Sequence, residues 1–279
     1  MNYIFSYNVV YNDQFESINY IEAFCESLRR INYKDKLILF TESIDRIKPL
    51  TYGLNTELVL VQDIYKRFVV DPNYPLVPGL DDLNIQRLYI YQRYIIENNI
   101  KHTDNILFVD SRDVIFQNNP FDHINDSKLT FGEESIPYVN DWTIPQFEIY
   151  RFDENIYSSI MSYRGSSINS NCIGSIKNFL RFVDDFNEEI KNIKKYNPSI
   201  KTKIPISDQI IINKLLAINK LEYCEVLPYI NNIIVSNLVD GHFTYDGKTV
   251  CIDDKPISIV HQYDRNPTVF RLLLAQYSI

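Results

Sequence analysis

Asn105-Ile106-Leu107-Phe108-Val109-Asp110-Ser111-Arg112-Asp113-Val114-Ile115-Phe116 joins two apolar runs through an acidic turn. The first run, bounded by polar residues, reads as a strand covered on both faces of a sheet. Upstream, Tyr3 to Val10 has β character, and Phe15, Ile18, Ile21, Phe24, Leu28 and Ile31 then recur at helical spacing. Lys36 to Thr41 and Glu57 to Gln62 are compact apolar runs of the same buried-strand type. Asp71 to Gly79 holds Pro72, Pro75 and Pro78 and reads as loop, after which Asp81 offers an N-cap for a helix running to about Asn98. Strands alternating with helices imply an α/β sheet with right-handed crossovers, in which ligands sit beyond the C-terminal strand ends. Asp110 to Asp113 stand at such an end.

Downstream the pattern loosens. Lys128 to Phe131 reads as a strand and Phe179 to Ile193 as a long helix, followed by the basic loop Lys194 to Lys203. Asp208 to Ile218 reads as a helix capped by Ser207. Asp246-Gly247, between Phe243-Thr244-Tyr245 and Lys248 to Cys251, predicts a two-residue hairpin turn. Ile257 to His261 is a final strand and Thr268 to Tyr277 a closing helix. No internal repeat or linker divides the chain.

The chain has 279 residues, 45% of them hydrophobic and 23% charged, which is an ordinary globular balance with room for a large core. A net charge of −8 argues against sequence-independent binding to nucleic acid or anionic lipid, so a phosphate-bearing ligand would need a cation as intermediary. Cys25, Cys172, Cys224 and Cys251 lack C-x-x-C spacing and read as small buried hydrophobes in a reducing compartment. The start lacks a signal-peptide pattern and no run is long enough for a membrane helix, so a soluble, cytoplasmic protein is expected.

Asp110 and Asp113 are the strongest candidates for chemistry. Mg²⁺ and Mn²⁺ take oxygen ligands, commonly one or two carboxylates plus substrate phosphates, so this turn suits a metal held against a diphosphate. An Asx turn with Arg112 paired to a neighbour is the structural alternative. His261 is one of only four histidines, and a histidine in a strand is either a packed residue or a ligand. Arg265 is either solvated or a partner for phosphate charge. Asp208 at a helix start is explained by the helix dipole alone, or serves as a base. Tyr7, Arg87 and Trp142 are core or stacking residues, and Glu133-Glu134 are adjacent acids expected at the surface, flanking an acceptor at most.

Taken in order, these segments resemble a nucleotide-sugar-dependent glycosyltransferase of the GT-A fold. Val109-Asp110-Ser111-Arg112-Asp113-Val114-Ile115-Phe116-Gln117 with Asn119-Pro120-Phe121 resembles the metal motif, Asn169 to Gly174 the Asn and Gly segment before a helix, Ser207-Asp208-Gln209 the helix start beside the acceptor, and Val260-His261-Gln262-Tyr263 the late strand whose histidine completes the metal site. The resemblance spans residues 3 to about 265 and departs in one respect: the common motif is D-x-D, whereas two residues separate Asp110 from Asp113. That makes Asp113 the better ligand and leaves Asp110 to the ribose or to the metal through water.

The resemblance implies a Rossmann-type mixed sheet flanked by helices with C-terminal β-hairpins, in one catalytic domain over 1–279. About 1–120 would bind the nucleotide sugar and 121–279 the acceptor. It implies Mn²⁺ or Mg²⁺ on Asp110, Asp113 and His261, a donor on Ser6, Tyr7, Arg87, Asp110, Arg112 and Arg265, and an acceptor near Trp142, Asn171, Asp208 and Gln209, with Asp208 catalytic. The implied reaction moves a hexosyl or deoxyhexosyl group from a UDP-linked donor to a hydroxyl of a glycan, glycoprotein or small molecule. A nicotinamide enzyme is disfavoured by the absence of G-x-G-x-x-G, and there is no P-loop or H-E-x-x-H. A phosphoesterase, or a non-catalytic carbohydrate- or nucleotide-binding protein on the same fold, are the rivals.

Overall fold

The structure, a computed structural model, describes residues 1–8, 16–63, 83–125, 127–141, 143–150, 154–163, 165–196, 208–231, 233–236, 238 and 242–277. The end of the first strand at Val9-Val10, the proline loop 71–79, the caps Asp81 and Ser207, most of the basic loop and Trp142 lie outside the described residues.

The first half alternates as its patterning predicts: β1 (Asn2–Asn8), α1 (Glu16–Arg30), β2 (Lys36–Thr41), a short α2 (Ile44–Ile47), β3 (Thr56–Leu60), α3 (Leu83–Glu97), β4 (Asn105–Phe108) and β5 (Val114–Phe116). Then come β6 (Leu129–Pro137), α4 (Ile144–Tyr150), α5 (Glu154–Ser162), β7 (Ser166–Ser175), α6 (Ile176–Tyr196) and α7 (Asp208–Ala217). The chain closes through β8 (Cys224–Leu227), β9 (Ile234–Ser236), β10 (Thr244–Tyr245), β11 (Val250–Ile252), β12 (Lys255–Pro256), β13 (Ile259–His261) and α8 (Pro267–Tyr277).

A seven-stranded sheet runs β3-β2-β1-β4-β7-β6-β8. Strands β1 to β4 are parallel, β7 is antiparallel to β4 and β6, and β8 is parallel to β6. Alternation in the strands divides their side chains between two cores. Phe5, Ile38, Phe40, Ile106 and Phe108 join Leu88, Tyr91 and Ile95 of α3 and the apolar stripes of α6 and α7. Ile4, Leu37, Leu39 and Leu107 point the other way, against Ile21, Phe24, Cys25 and Leu28 of α1. Strands covered on both faces need apolar side chains in either direction, which is why β1 and β2 read as continuous runs. Gly174 lies in β7 where β6 passes closely: a Cβ there would meet the Lys128 carbonyl oxygen at 2.7 Å.

Two small sheets cover the α1 side, β5-β13-β9 and β10-β11-β12. The Gln117 side chain clasps them, donating to the carbonyls of Val250 at 2.9 Å and Ile257 at 2.8 Å and accepting from Val250 N at 2.7 Å. The tight hairpin turn falls one connection later than the sequence implied. Tyr245 pairs with Val250, leaving Asp246 to Thr249 between the strands, and Asp246 Oδ1 accepts from the amides of Lys248 and Thr249. The two-residue turn is instead Asp253-Asp254, both at positive φ (48° and 59°), between Ile252 and Lys255. Two further expectations are corrected: Cys224 and Cys251 are only half-buried, and β6 continues past Phe131 to Pro137, which puts Glu133 and Glu134 inside the sheet. Among the described residues no helix is long and apolar enough to cross a membrane.

Candidate functional site

The chain leaves the large sheet at the end of β4 and enters the small one at β5, and Asp110 to Asp113 make that crossing. Side chains and amides beneath fix the turn. Ser6 Oγ donates to Val109 O at 2.7 Å, Ser111 Oγ donates to Tyr7 O at 3.1 Å, and the Asp110 amide donates to Asn171 Oδ1 at 3.2 Å. Ser6 and Asn171 are fully buried, and Tyr7 is nearly so.

Strand pairing brings the histidine. His261 lies opposite Val114 in the antiparallel β13–β5 ladder, and the next residue's amide, that of Gln262, donates to Asp113 O at 2.8 Å. His261 Nε2 comes within 3.4 Å of Asp110 Oδ2 and 3.5 Å of Asp113 Oδ1, and one donor atom from each of the three lies within 4.8 Å of the others. Ser236 Oγ of β9 sits 2.8 Å from His261 Nδ1. With Nδ1–H donating to that hydroxyl, the Nε2 lone pair faces the two carboxylates, the second-shell arrangement of a metal-binding imidazole. Two carboxylates and an imidazole, without thiolate, fit a hard to borderline divalent cation. These three residues form a candidate metal site.

Arg87 of α3 reaches the same place from the opposite core. It pairs with Asp110 through Nη1 and with Asp208 Oδ2 at 2.6 Å through Nη2, and its guanidinium stacks 4.5 Å from the centre of the Phe108 ring. Asp208, the first residue of α7, also accepts from the Gln209 amide at 2.8 Å. One buried guanidinium therefore ties the acidic turn to the start of α7.

The charges are strongly coupled. Burial raises the Asp113 carboxyl to about 6, helped by the charges of Asp110 and Asp264 and opposed by His261. Burial acts on Asp110 in the same direction, but Arg87 and His261 outweigh it and hold that carboxyl well below the usual range. Burial would lower the His261 imidazole, yet Asp113, Asp110 and Glu134 together raise it. Arg87 is raised too, its two aspartates overcoming burial.

Of the residues singled out in the sequence, Asp110, Asp113, His261, Arg87, Asp208 and Asn171 converge here. Ser6 and Asn171 serve the backbone of the turn, while Arg112 and Arg265 are exposed, Arg112 lying 5.5 Å above the Tyr20 ring. Gln209 is half-buried beside Asp208. Three residues of the neighbourhood were not foreseen. Ser236 carries no sequence signal, Asp264 follows the histidine without a pattern, and Glu134 is 5% exposed rather than at the surface.

The central mixed sheet, its flanking helices and the C-terminal strand layers define a GT-A-like α/β fold. The chain is similar in structure to mouse xyloside xylosyltransferase 1, in its apo crystal form, with a TM-score of 0.54 and 11% sequence identity over 94% of this chain and 97% of that one. No family model matches the sequence, and no curated protein matches it.

Proposed function

We propose that the chain is a glycosyltransferase that moves a glycosyl group from a nucleoside diphosphate sugar, UDP-linked, to a hydroxyl of a glycan, glycoprotein or small acceptor. The observation that carries this reading is the meeting of Asp110, Asp113 and His261, from segments far apart in the chain, at the carboxyl end of β4 in a fold shared with a xylosyltransferase. Fold alone does not assign activity, so the reading rests on the site.

Asp113 and His261 would hold Mn²⁺ or Mg²⁺, with Asp110 joining directly or through water. The bound cation would supply Lewis-acid stabilisation of charge on the departing diphosphate. It would also let a chain of net charge −8 receive an anionic donor. Arg87 holds Asp110 and Asp208 in fixed relation from a buried position, so neither carboxylate needs to reorganise when substrate arrives. Both oxygens of Asp208 are engaged, yet each keeps a lone pair, so Asp208 can accept the acceptor hydroxyl and, in an inverting reaction, its proton. Tyr7, Arg112 and Arg265 are assigned to the donor, and Gln209 and Trp142 to the acceptor. Residues 1–120 would form most of the donor half and 121–279 the acceptor half, with His261 returned from the second to the first. A hexosyl or deoxyhexosyl group is the proposed cargo, and a pentosyl group, as in the xylosyltransferase, is the comparison to include.

The test is donor turnover. Incubation with a panel of nucleotide sugars and Mn²⁺ is expected to release nucleoside diphosphate from one of them, and to stop doing so in EDTA. Nucleotide binding without turnover for any donor would reduce the protein to a binder. No nucleotide binding at all would overturn the reading.

A further inference from the structure

Of the two residues paired with His261 in its own small sheet, one is polar. Side chains alternate between the faces of that sheet. Ile115, Val235 and Val260 join the core built with α8, whereas Val114, Phe116, Ile234 and Ile259 face the large sheet and α1. Counting on by two from Ile234 and Ile259 places Ser236 and His261 on that second face, toward the acidic turn. Ser236 stands opposite His261 in the parallel β9–β13 ladder, and Val114 stands opposite it in the antiparallel β5–β13 ladder. Valine offers no side-chain hydrogen bond, so the serine hydroxyl takes Nδ1, at 2.8 Å. Ser236 is fully buried and His261 is 3% exposed.

A neutral imidazole binds a cation through the lone pair of one nitrogen and carries its hydrogen on the other, and the partner of that second nitrogen selects the form and fixes the ring's direction. Nε2 is the nitrogen that lies 3.4 Å from Asp110 and 3.5 Å from Asp113, so Nε2 is the ligand atom and Nδ1 must hold the hydrogen. A buried N–H without an acceptor is costly, and Ser236 Oγ supplies the acceptor. A hydroxyl can equally donate to Nδ1. In that form Nε2 keeps its hydrogen for the two aspartates, which suits the site before a cation arrives. Rotation of one hydroxyl therefore lets the ring take either form without moving. An apolar side chain at this position would serve neither form, and a carboxylate would hold only one.

We propose that Ser236 is a positioning residue of the metal site: its hydroxyl accepts from Nδ1–H, holds the His261 ring in place and so directs Nε2 to the cation. This rests on the metal-site assignment within the glycosyltransferase reading. The probes are Co²⁺ and Mg²⁺, titrated by calorimetry into the wild-type chain, Ser236→Ala, Ser236→Thr, His261→Ala and the double variant Ser236→Ala with His261→Ala, with thermal melting of each. Imidazole nitrogen contributes more to Co²⁺ than to Mg²⁺, which carboxylates and water satisfy, so the ratio of the two affinities reads the histidine. Ser236→Ala is expected to lower Co²⁺ affinity by about tenfold or more, the usual worth of such a partner, while Mg²⁺ affinity stays within about threefold. Ser236→Thr keeps the hydroxyl and is expected to return Co²⁺ affinity to within about threefold of the wild type. In the His261→Ala chain, Ser236→Ala is expected to change neither affinity further. Unchanged Co²⁺ affinity in Ser236→Ala overturns the proposal, as does an equal loss for both metals or a loss that persists without the histidine; each would make the serine a packing residue. Should Ser236→Thr melt well below the wild type, the double variant decides. A wild-type chain that binds neither metal overturns the metal-site assignment and takes this proposal with it; that failure is recognised because it appears before any substitution is made.

Discussion

Asp110 and Asp113 share a turn and a functional group, yet their carboxyls are displaced in opposite directions. Burial acts on both the same way, and the difference is the guanidinium of Arg87, which pairs with Asp110 alone of the two. Asp110 is therefore a fixed anion, and Asp113 is a carboxylate that burial holds near its point of neutralisation, at about 6. A cation arriving at the cluster gains most from Asp113, whose charge is the least compensated. Asp113→Asn keeps the shape and removes that charge. The expected outcome is loss of Mn²⁺-dependent nucleotide binding and turnover, with urea stability in the absence of metal no lower than that of the wild type. Binding that survives, or a large loss of stability without metal, would make Asp113 a structural residue of the turn.

At the scale of elements, α7 begins at Asp208, and polar contacts fix it at three places. Arg87 holds its first residue, Asp208. Asn213, fully buried, exchanges hydrogen bonds with the backbone of Ile168 in β7, accepting at 3.0 Å and donating at 3.3 Å. Lys214 is paired with Glu189 of α6, the two side chains being 2% and 3% exposed. Removing one member of such a pair strands the other, so Lys214→Met is expected to destabilise the chain by about 3–5 kcal/mol, whereas Lys214→Met with Glu189→Leu restores most of the loss. Chemical denaturation of the single and double variants reads both; equal stability of the single variant and the wild type would mean the pair is not holding α7. Elements of this kind were legible where patterning and burial agree. Strand β2 matches its apolar run residue for residue, and α1 follows its stripe, because each is packed against a core wide enough to demand every position. The site was legible only in part. The acidic turn shows as charges interrupting apolar runs, and the histidine shows through its rarity, but their meeting depends on the β5–β13 ladder, which no local pattern encodes. Glu134 was misread for a similar reason: its adjacency to Glu133 suggests surface, and only the bulge in β6 decides which way it faces. The short helices α4 and α5 carry too little apolar periodicity to be seen in the sequence.

Across the whole molecule, the candidate metal site is a joint between layers. Asp110 and Asp113 hang from the large sheet through β4, whereas His261 belongs to the small sheet that packs with α8 and the C-terminal hairpins. In the absence of metal the stability of the joint depends on bound protons. Asp113 has a folded-state value of about 6, above the roughly 3.9 of an unfolded aspartate, so its contribution is fully present below about pH 4 and lost as pH rises through about 6. His261, also raised, contributes in the same sense: its part is present below about pH 6.5 and disappears as pH rises through its elevated value. A divalent cation bound at the candidate site would compete with those protons for the same groups and would take over the joint where they leave. Mn²⁺ at about a hundred times its dissociation constant would add about 2.7 kcal/mol to the folded state, which for a chain of this length raises the melting temperature by roughly 5 °C. That rise is expected at pH 7.5 and is expected to shrink to under about 2 °C at pH 5, where protons hold the cluster. Differential scanning fluorimetry with and without Mn²⁺ at the two values measures it, and His261→Ala should remove the rise at pH 7.5. A shift of equal size at both values, or one that survives loss of the histidine, would place the ion elsewhere and leave the two layers joined by packing alone.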